Sequence, residues 1–420
     1  MSLTPKTKKL HDPYGALRSR NFGLFTPANF LTFFGSQMVF MTVGWELYGK
    51  TSSAMDLGLV GLSLVLPSLA LGLLGGNVAD RFDRRSIVVL CTIVYTFCLV
   101  ALGLLSRSPE SPQHFRLLIF GLLFLIGTCD AFCIPAKQAL VPQLVPPQAI
   151  PNAVAWNSTA FQTAAVTGPA VCGYLLRSVS YSTIYWSAAL FEIIFIVIIL
   201  SLRLNPHDLK REPITLLSFA EGARFVWNTK PILATITLDL FAVLLGGCTA
   251  LLPIFVKDIL HSGEETLGWL RTAPAVGALL MAVTVAQVPL KKPGQTLLWA
   301  VAGFGLATIV FGLSKNLWLS LSMMFLIGAL DNISVIVRGT LVQVLTPDRL
   351  LGRVQSVNYL FINSSNELGA FESGLAAAIL GSAVPAVVLG GIGSILVALG
   401  VSVLWPQVAK LKSLQSQKKL

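Results

Sequence analysis

The chain has 420 residues, 54% of them hydrophobic and 12% charged, with a net charge of +11. Soluble domains carry about 25% charged residues, and here the mean hydropathy is +0.75. An ordinary soluble enzyme and a disordered chain are both excluded.

Twelve apolar stretches follow one another: 22–48, 56–78, 86–106, 117–139, 152–176, 183–203, 231–256, 265–288, 296–313, 318–341, 354–380 and 386–405. Most reach the roughly 20 residues that cross a bilayer at about 1.5 Å per residue. Twelve segments in 420 residues leave no room for an attached ATPase domain. The expected division is a leader at 1–21, a six-helix half at 22–203, a linker at 204–230, a second half at 231–405 and a basic tail at 406–420.

Alternate loops differ sharply in charge. With the N-terminus placed in the cytoplasm, 22 Lys/Arg fall on the inner side and six on the outer side, while Arg271 and Arg338 lie inside segments. This bias predicts that both termini are cytoplasmic. It also turns the basic surplus toward anionic lipid headgroups, so no nucleic-acid partner is expected. The leader is polar and lacks the apolar core of a signal peptide, so the first segment is expected to stay. All six cysteines lie in apolar segments and all four histidines in loops. No metal-ligand spacing, cofactor motif or catalytic constellation appears, and no enzyme activity is expected. Gly44 to Thr51 matches the phosphate-loop pattern, but its bulky interior and membrane-helix setting mark a chance match.

In the linker, Leu216, Leu217, Phe219, Ala220, Ala223, Val226 and Trp227 recur at helical spacing, predicting an amphipathic helix at the membrane surface or a plain linker helix. The two halves repeat at a shift of 201. Leu125-Ile126-Gly127 falls on Leu326-Ile327-Gly328, Asp130 on Asp331, Lys137 on Arg338, Asn157 on Asn358, Gly168 on Gly369 and Gly173 on Gly374. Twelve spans in two parallel repeats are the pattern of secondary transporters.

Between segments 2 and 3 runs Gly76-Asn77-Val78-Ala79-Asp80-Arg81-Phe82-Asp83-Arg84-Arg85. A glycine permits close helix approach, and an acid at a helix end can face a helix N-terminus or an arginine, forming a gating latch. Simple topogenic charge is the alternative. In segment 5, Gly168-Pro169-Ala170-Val171-Cys172-Gly173 predicts a hinge, or an ordinary proline kink. The loop resembles the signature of the major facilitator superfamily, departing from it at Asp83, where glycine is usual. The segment-5 run resembles the motif of that superfamily's drug:proton antiporters, with Cys172 in place of a glycine. Further runs resemble the enterobactin-exporter type of that group: Pro135-Ala136-Lys137-Gln138, Glu221 to Trp227, Asp239-Leu240-Phe241, Asp331-Asn332-Ile333, Pro347 to Val354, Asn366 to Gly369 and Phe371 to Gly374. The resemblance spans about residues 20–405.

It implies an all-α membrane protein of twelve helices in two pseudo-symmetric halves, with helices 1, 4, 7 and 10 lining a central cavity. Those four segments carry Glu46, Asp130, Asp239 and Asp331; segment 11 carries Glu367 and Glu372, and segment 6 carries Glu192 as the exception. Glu46 lies near an outer helix end, where it can simply be wet. Glu367 and Glu372 are five apart and so are expected on different faces. Asp130 and Lys137, like Asp331 and Arg338, are seven apart, about 10 Å along one helix face, a gap that a neighbouring helix or the cargo can bridge. Asp331, near Asn332, Asn358 and Arg338, is the favoured proton carrier. The expected function is export of an amphipathic small molecule, siderophore or drug-like, in exchange for protons, by a monomer in the plasma membrane. A lipid or lysolipid flippase and an uncoupled facilitator are the alternatives.

Overall fold

The computed structural model describes residues 13–108, 111–202, 216–288 and 292–409. Residues 1–12, most of the predicted linker and the tail from 410 lie outside that set, as does the side chain of Asp80. Among the described residues all regular structure is helical.

Six long helices build the first half: α1 (Arg20–Thr51), α2 (Ala54–Arg81), α3 (Arg84–Arg107), α4 (Pro112–Leu140), α5 (Ile150–Leu176) and α6 (Tyr181–Ser201). The short α7 (Leu216–Asn228) precedes the second half. There α8 (Lys230–Gly246) continues through a 3-10 turn (Thr249–Leu251), the single turn α9 (Leu252–Ile254) and a π-helical turn (Phe255–Ile259). Then come α10 (Glu264–Gln287), α11 (Pro293–Leu313), α12 (Leu317–Leu345), α13 (Asp348–Ile379), α14 (Ala383–Leu404) and the terminal turn α15 (Pro406–Ala409). Local chemistry sets several starts. Ser53, Asp83, Ser111, Ser180, Asn316 and Ser382 each accept a backbone N–H at an N-cap.

Among the described residues nine spans, counting Lys230–Ile259 as one, are apolar and long enough to cross a membrane. The three further long helices, α1, α5 and α13, are more polar. Trp269, Trp299, Trp318, Trp227 and Tyr174 are exposed near the helix ends, where an aromatic belt meets lipid headgroups. The end bearing Arg81, Arg84 and Arg85 is called the basic face below, and the other end the distal face.

The predicted repeat is present in the packing. A Cβ on Gly127 would meet Leu64 O at 2.3 Å and Pro67 Cγ at 2.9 Å, locking α4 onto α2. On its repeat mate Gly328 it would meet Pro274 O at 2.0 Å, locking α12 onto α10 in the same way. One expectation changes. Segment 7 is not one helix: α8 ends at Gly247, whose extended backbone and the following Pro253 interrupt the ladder. The predicted linker helix is present as α7, with one face packed on α13. Val226 packs with Val354, Leu350 and Ile232, and Gly222 closes on the Arg353 backbone. Arg353 also donates to Glu221.

The halves meet along two seams near the distal face. α5 crosses α10 where Gly173 faces Gly268, and α2 crosses α13 where Gly58 faces Gly374. A Cβ on Gly268 would lie 3.0 Å from Gly173 Cα, and one on Gly374 2.6 Å from Gly58 Cα. Gly173 and Gly374 are repeat mates, so the seams are equivalent.

Candidate functional site

Between the halves, beneath these seams, lies a cavity of about 130 Å³. Phe40 of α1 and Leu57, Val60 and Gly61 of α2 wall one side. Arg271 and Leu267 of α10, Thr249 and Pro253 of the interrupted α8 segment, and Asn366 and Glu367 of α13 wall the other. The Arg271 guanidinium lies over the Phe40 ring, 4.8 Å from its centroid. Glu367 Oε2 is buried with no hydrogen-bond partner among the described residues. It packs on Gly61, where a Cβ would come within 3.1 Å of it.

Of the carboxylates expected around this cavity, Glu367 alone lines it. Asp239 is buried within the second half, ion-paired with Arg338 of α12 and accepting from Ser334 Oγ at 2.7 Å. The neighbouring helix α8 thus supplies the carboxylate that pairs with Arg338, and that carboxylate is Asp239 rather than Asp331. Asp331 lines a separate small pocket beside Asp239 and Phe304. Asn358 is buried, its Oδ1 without a hydrogen-bond partner among the described residues, while its repeat mate Asn157 accepts from Asn29 Nδ2 at 2.7 Å. In the first half, Lys137 lies 4.4 Å from the Phe195 ring centroid and interacts electrostatically with Asp130 and Glu192. Glu192 thus belongs to an internal charge cluster, which accounts for an acid on a peripheral helix.

Glu46 is not wet. It is 1% exposed, paired with Lys50 at 2.8 Å and accepting from Tyr185 Oη at 2.9 Å. One helical turn brings Lys50 back over it, and α6 covers it, which its position near a helix end does not reveal. Glu372 is half-buried and does not line the cavity, as its separation from Glu367 implied.

Sequence reasoning gave no role to Arg271, although a basic residue inside an apolar segment was the available signal. It also passed over a set of distal contacts between the halves. Tyr48 Oη donates to Asp258 of the π-helical turn, and Trp45 Nε1 to Glu264 at 3.2 Å. Arg177 pairs with Glu265 at 2.8 Å, and Thr272 Oγ1 donates to Val166 O at 3.1 Å. The acids stand at loop edges, where they read as solvated charge.

In the segment-5 motif, Pro169 lies inside an unbroken helix, and Gly168 and Gly173 are both contact points. Gly168 closes on Gln37 of α1, and the Pro169 carbonyl would be 2.7 Å from a Cβ on Gly268. Cys172 is fully buried against α1, its Sγ 3.4 Å from Thr42 Oγ1.

At the basic face, Arg84 donates to Ala139 O at 3.2 Å and to Ala79 O at 3.4 Å, while Arg85 donates to Leu200 O and Leu202 O. These two arginines thus brace the ends of α2, α4 and α6 within one half, with different partners. Arg81 is exposed, and Gly76 has open space beside its Cα. Asp83 caps α3, accepting from Ser86 N at 2.9 Å and Ser86 Oγ at 2.6 Å, with φ −61. No glycine backbone is needed there. Partial burial acts to raise the Asp83 pKa, but the Ser86 hydroxyl and backbone N–H outweigh it and hold the carboxyl below its ordinary value. A carboxylate so depressed stabilises above its unfolded pKa, and the contribution fades as pH falls through the lower folded value. Asp83→Ala should cost about 0.5–2 kcal/mol at neutral pH, with the difference from wild type shrinking below about pH 4. Thermal melting across that range checks it.

Residues 25–370 match the Major Facilitator Superfamily. The chain is 25% identical over 375 residues to the enterobactin exporter EntS of Escherichia coli O1:K1 / APEC, covering 88% of this chain and 84% of that protein. It is 27% identical over 346 residues to the exporter of the same name from Shigella boydii serotype 4, covering 80% and 77%. In fold it is similar to a bacterial homologue of the human lysosomal transporter Spinster, inward-facing and unoccupied (TM-score 0.72, 17% identity, 96% of this chain and 98% of that one). It is likewise similar to the inward-open xylose transporter XylE from E. coli (TM-score 0.68, 14% identity, 90% and 95%). The two-half helical repeat, the cavity between the halves and the match over most of its length lead to one conclusion: the chain is a membrane transporter that belongs to the Major Facilitator Superfamily.

Proposed function

We propose that this transporter exports an amphipathic small molecule, siderophore or drug-like, in exchange for protons, by alternating access to the central cavity. The carrying observation is Glu367, a carboxylate in that cavity with one oxygen unpartnered. Such an oxygen can hold a proton or accept a hydrogen bond from cargo, and competition between the two is sufficient for antiport. The coupling acid is therefore Glu367 rather than Asp331, which lies in a separate pocket. Asp239 is occupied by Arg338.

The loop charges support a cytoplasmic basic face, with both termini there, in the plasma membrane; a monomer is proposed as the transporting unit. The domain divisions are those of the apolar pattern: leader 1–21, halves 22–203 and 231–405, linker 204–230 and tail 406–420. With that orientation the glycine seams and polar contacts lie between the cavity and the outside, the arrangement that an inward-facing state requires. The Asp80 loop acts as the inner gate and the Gly168–Gly173 stretch as the element that moves against α10. The named relatives support the siderophore reading, since both are called enterobactin exporters.

In proteoliposomes without ATP, an imposed proton gradient should drive uphill cargo movement, and a protonophore should abolish it. Uphill movement that survives the protonophore would overturn proton coupling.

A further inference from the structure

Among the described residues, Arg271 and Arg338 are the arginines set inside apolar segments rather than near their ends, and they are treated differently. Arg338 is buried and neutralised by Asp239. Among the described residues Arg271 forms no ion pair and donates no hydrogen bond. Glu367 interacts with it by charge but outside ion-pairing distance. One face of the Arg271 plane is covered by Phe40. Arg271 also lines the cavity, and a guanidinium stacked by its face on a ring keeps its N–H donors for other partners. An unsatisfied cation inside a membrane is costly and persists where it serves a ligand.

We infer that Arg271 is the recognition residue for a planar anionic group, so the cargo is an amphipathic acid and not a lipophilic cation. The inference rests on the transport reading above and adds the chemical class. Guanidinium presents parallel donors that match a carboxylate-type anion with two hydrogen bonds. Leu57, Val60 and Leu267 supply apolar wall for the rest of the molecule. A cationic cargo attracted to Glu367 would sit beside Arg271 and be repelled. The Glu367 oxygen remains available to a neutral donor on the same cargo, which leaves the competition with protons intact.

The full-length protein in nanodiscs, with no gradient, is titrated with two probes of matched ring system and opposite charge, 2-naphthoate and 2-naphthylmethylammonium. Wild type should bind 2-naphthoate at least about tenfold more tightly than the ammonium probe. Arg271→Gln should weaken 2-naphthoate at least about tenfold and leave the ammonium probe unchanged or tighter; this is one bidentate ion contact, about 1.4 kcal/mol or more. Arg271→Lys keeps the charge but loses the fork and should fall between. If Arg271→Gln does not fold, as judged by melting and gel filtration, a several-fold loss in Arg271→Lys decides for the inference, and unchanged binding in that variant against it. Tighter binding of the ammonium probe to wild type, equal 2-naphthoate binding in Arg271→Gln, or binding of neither probe would overturn it. Equilibrium binding needs no proton gradient, so this result is distinguishable from a failure of proton coupling.

Discussion

Glu367→Gln is expected to abolish gradient-driven accumulation while leaving gradient-free cargo exchange. The amide keeps the size of the side chain and can still accept a hydrogen bond through its carbonyl oxygen, but it cannot carry a proton. The buried oxygen it replaces has no hydrogen-bond partner among the described residues, so folding should change little. Asp239→Asn makes the contrast. It leaves Arg338 as a buried charge without its carboxylate. Breaking such a pair costs about 3–5 kcal/mol, so membrane abundance should fall before coupling can be assayed. Measuring uphill uptake and counterflow at matched abundance separates the two. Full uphill transport by Glu367→Gln would return the coupling role to Asp331.

The second large effect is expected at the seams. Gly268→Val puts a branched side chain where a Cβ alone would already meet the Pro169 carbonyl at 2.7 Å and Gly173 at 3.0 Å. Overpacking of this kind costs about 1–3 kcal/mol. Because the strain exists only while the distal ends are closed, it shifts the balance between states by about 5- to 150-fold toward distal opening. Spin labels at the distal ends of α5 and α10 should report a longer separation, and export should fall. Gly121→Val, with open space beside it, should do neither. An unchanged distance in Gly268→Val would sink the reading of the seam as the closing contact.

The helical segments and their repeat were legible because hydropathy and glycine spacing are local quantities. Gly127 and Gly328 fall 201 apart in sequence and perform the same helix–helix contact. Partners were harder to read. Arg338 shares a helix with Asp331, but its carboxylate comes from α8, and helix spacing alone does not rank a neighbour's side chain. Glu46 looked exposed because its depth depends on α6. Arg271 was visible as an intramembrane charge, yet only the fold places it over the Phe40 ring at the cavity wall. The break in α8 was hidden because Gly247 and Pro253 sit in a stretch whose apolar character never lapses.

The polarity of α1, α5 and α13 has a consequence for how the chain is made. A segment enters the bilayer from the ribosome-bound translocation channel according to its own transfer free energy, and these helices are the ones whose composition serves the interior of the bundle. α1 emerges before α5 and α6, which supply its Asn157 hydrogen bond, its Phe161 contact and the Tyr185 cover over Glu46. The first helix should thus be retained by company that is synthesised more than a hundred residues later. A nascent chain cut after α4 would hold α1 loosely, and one cut after α6 would hold it firmly.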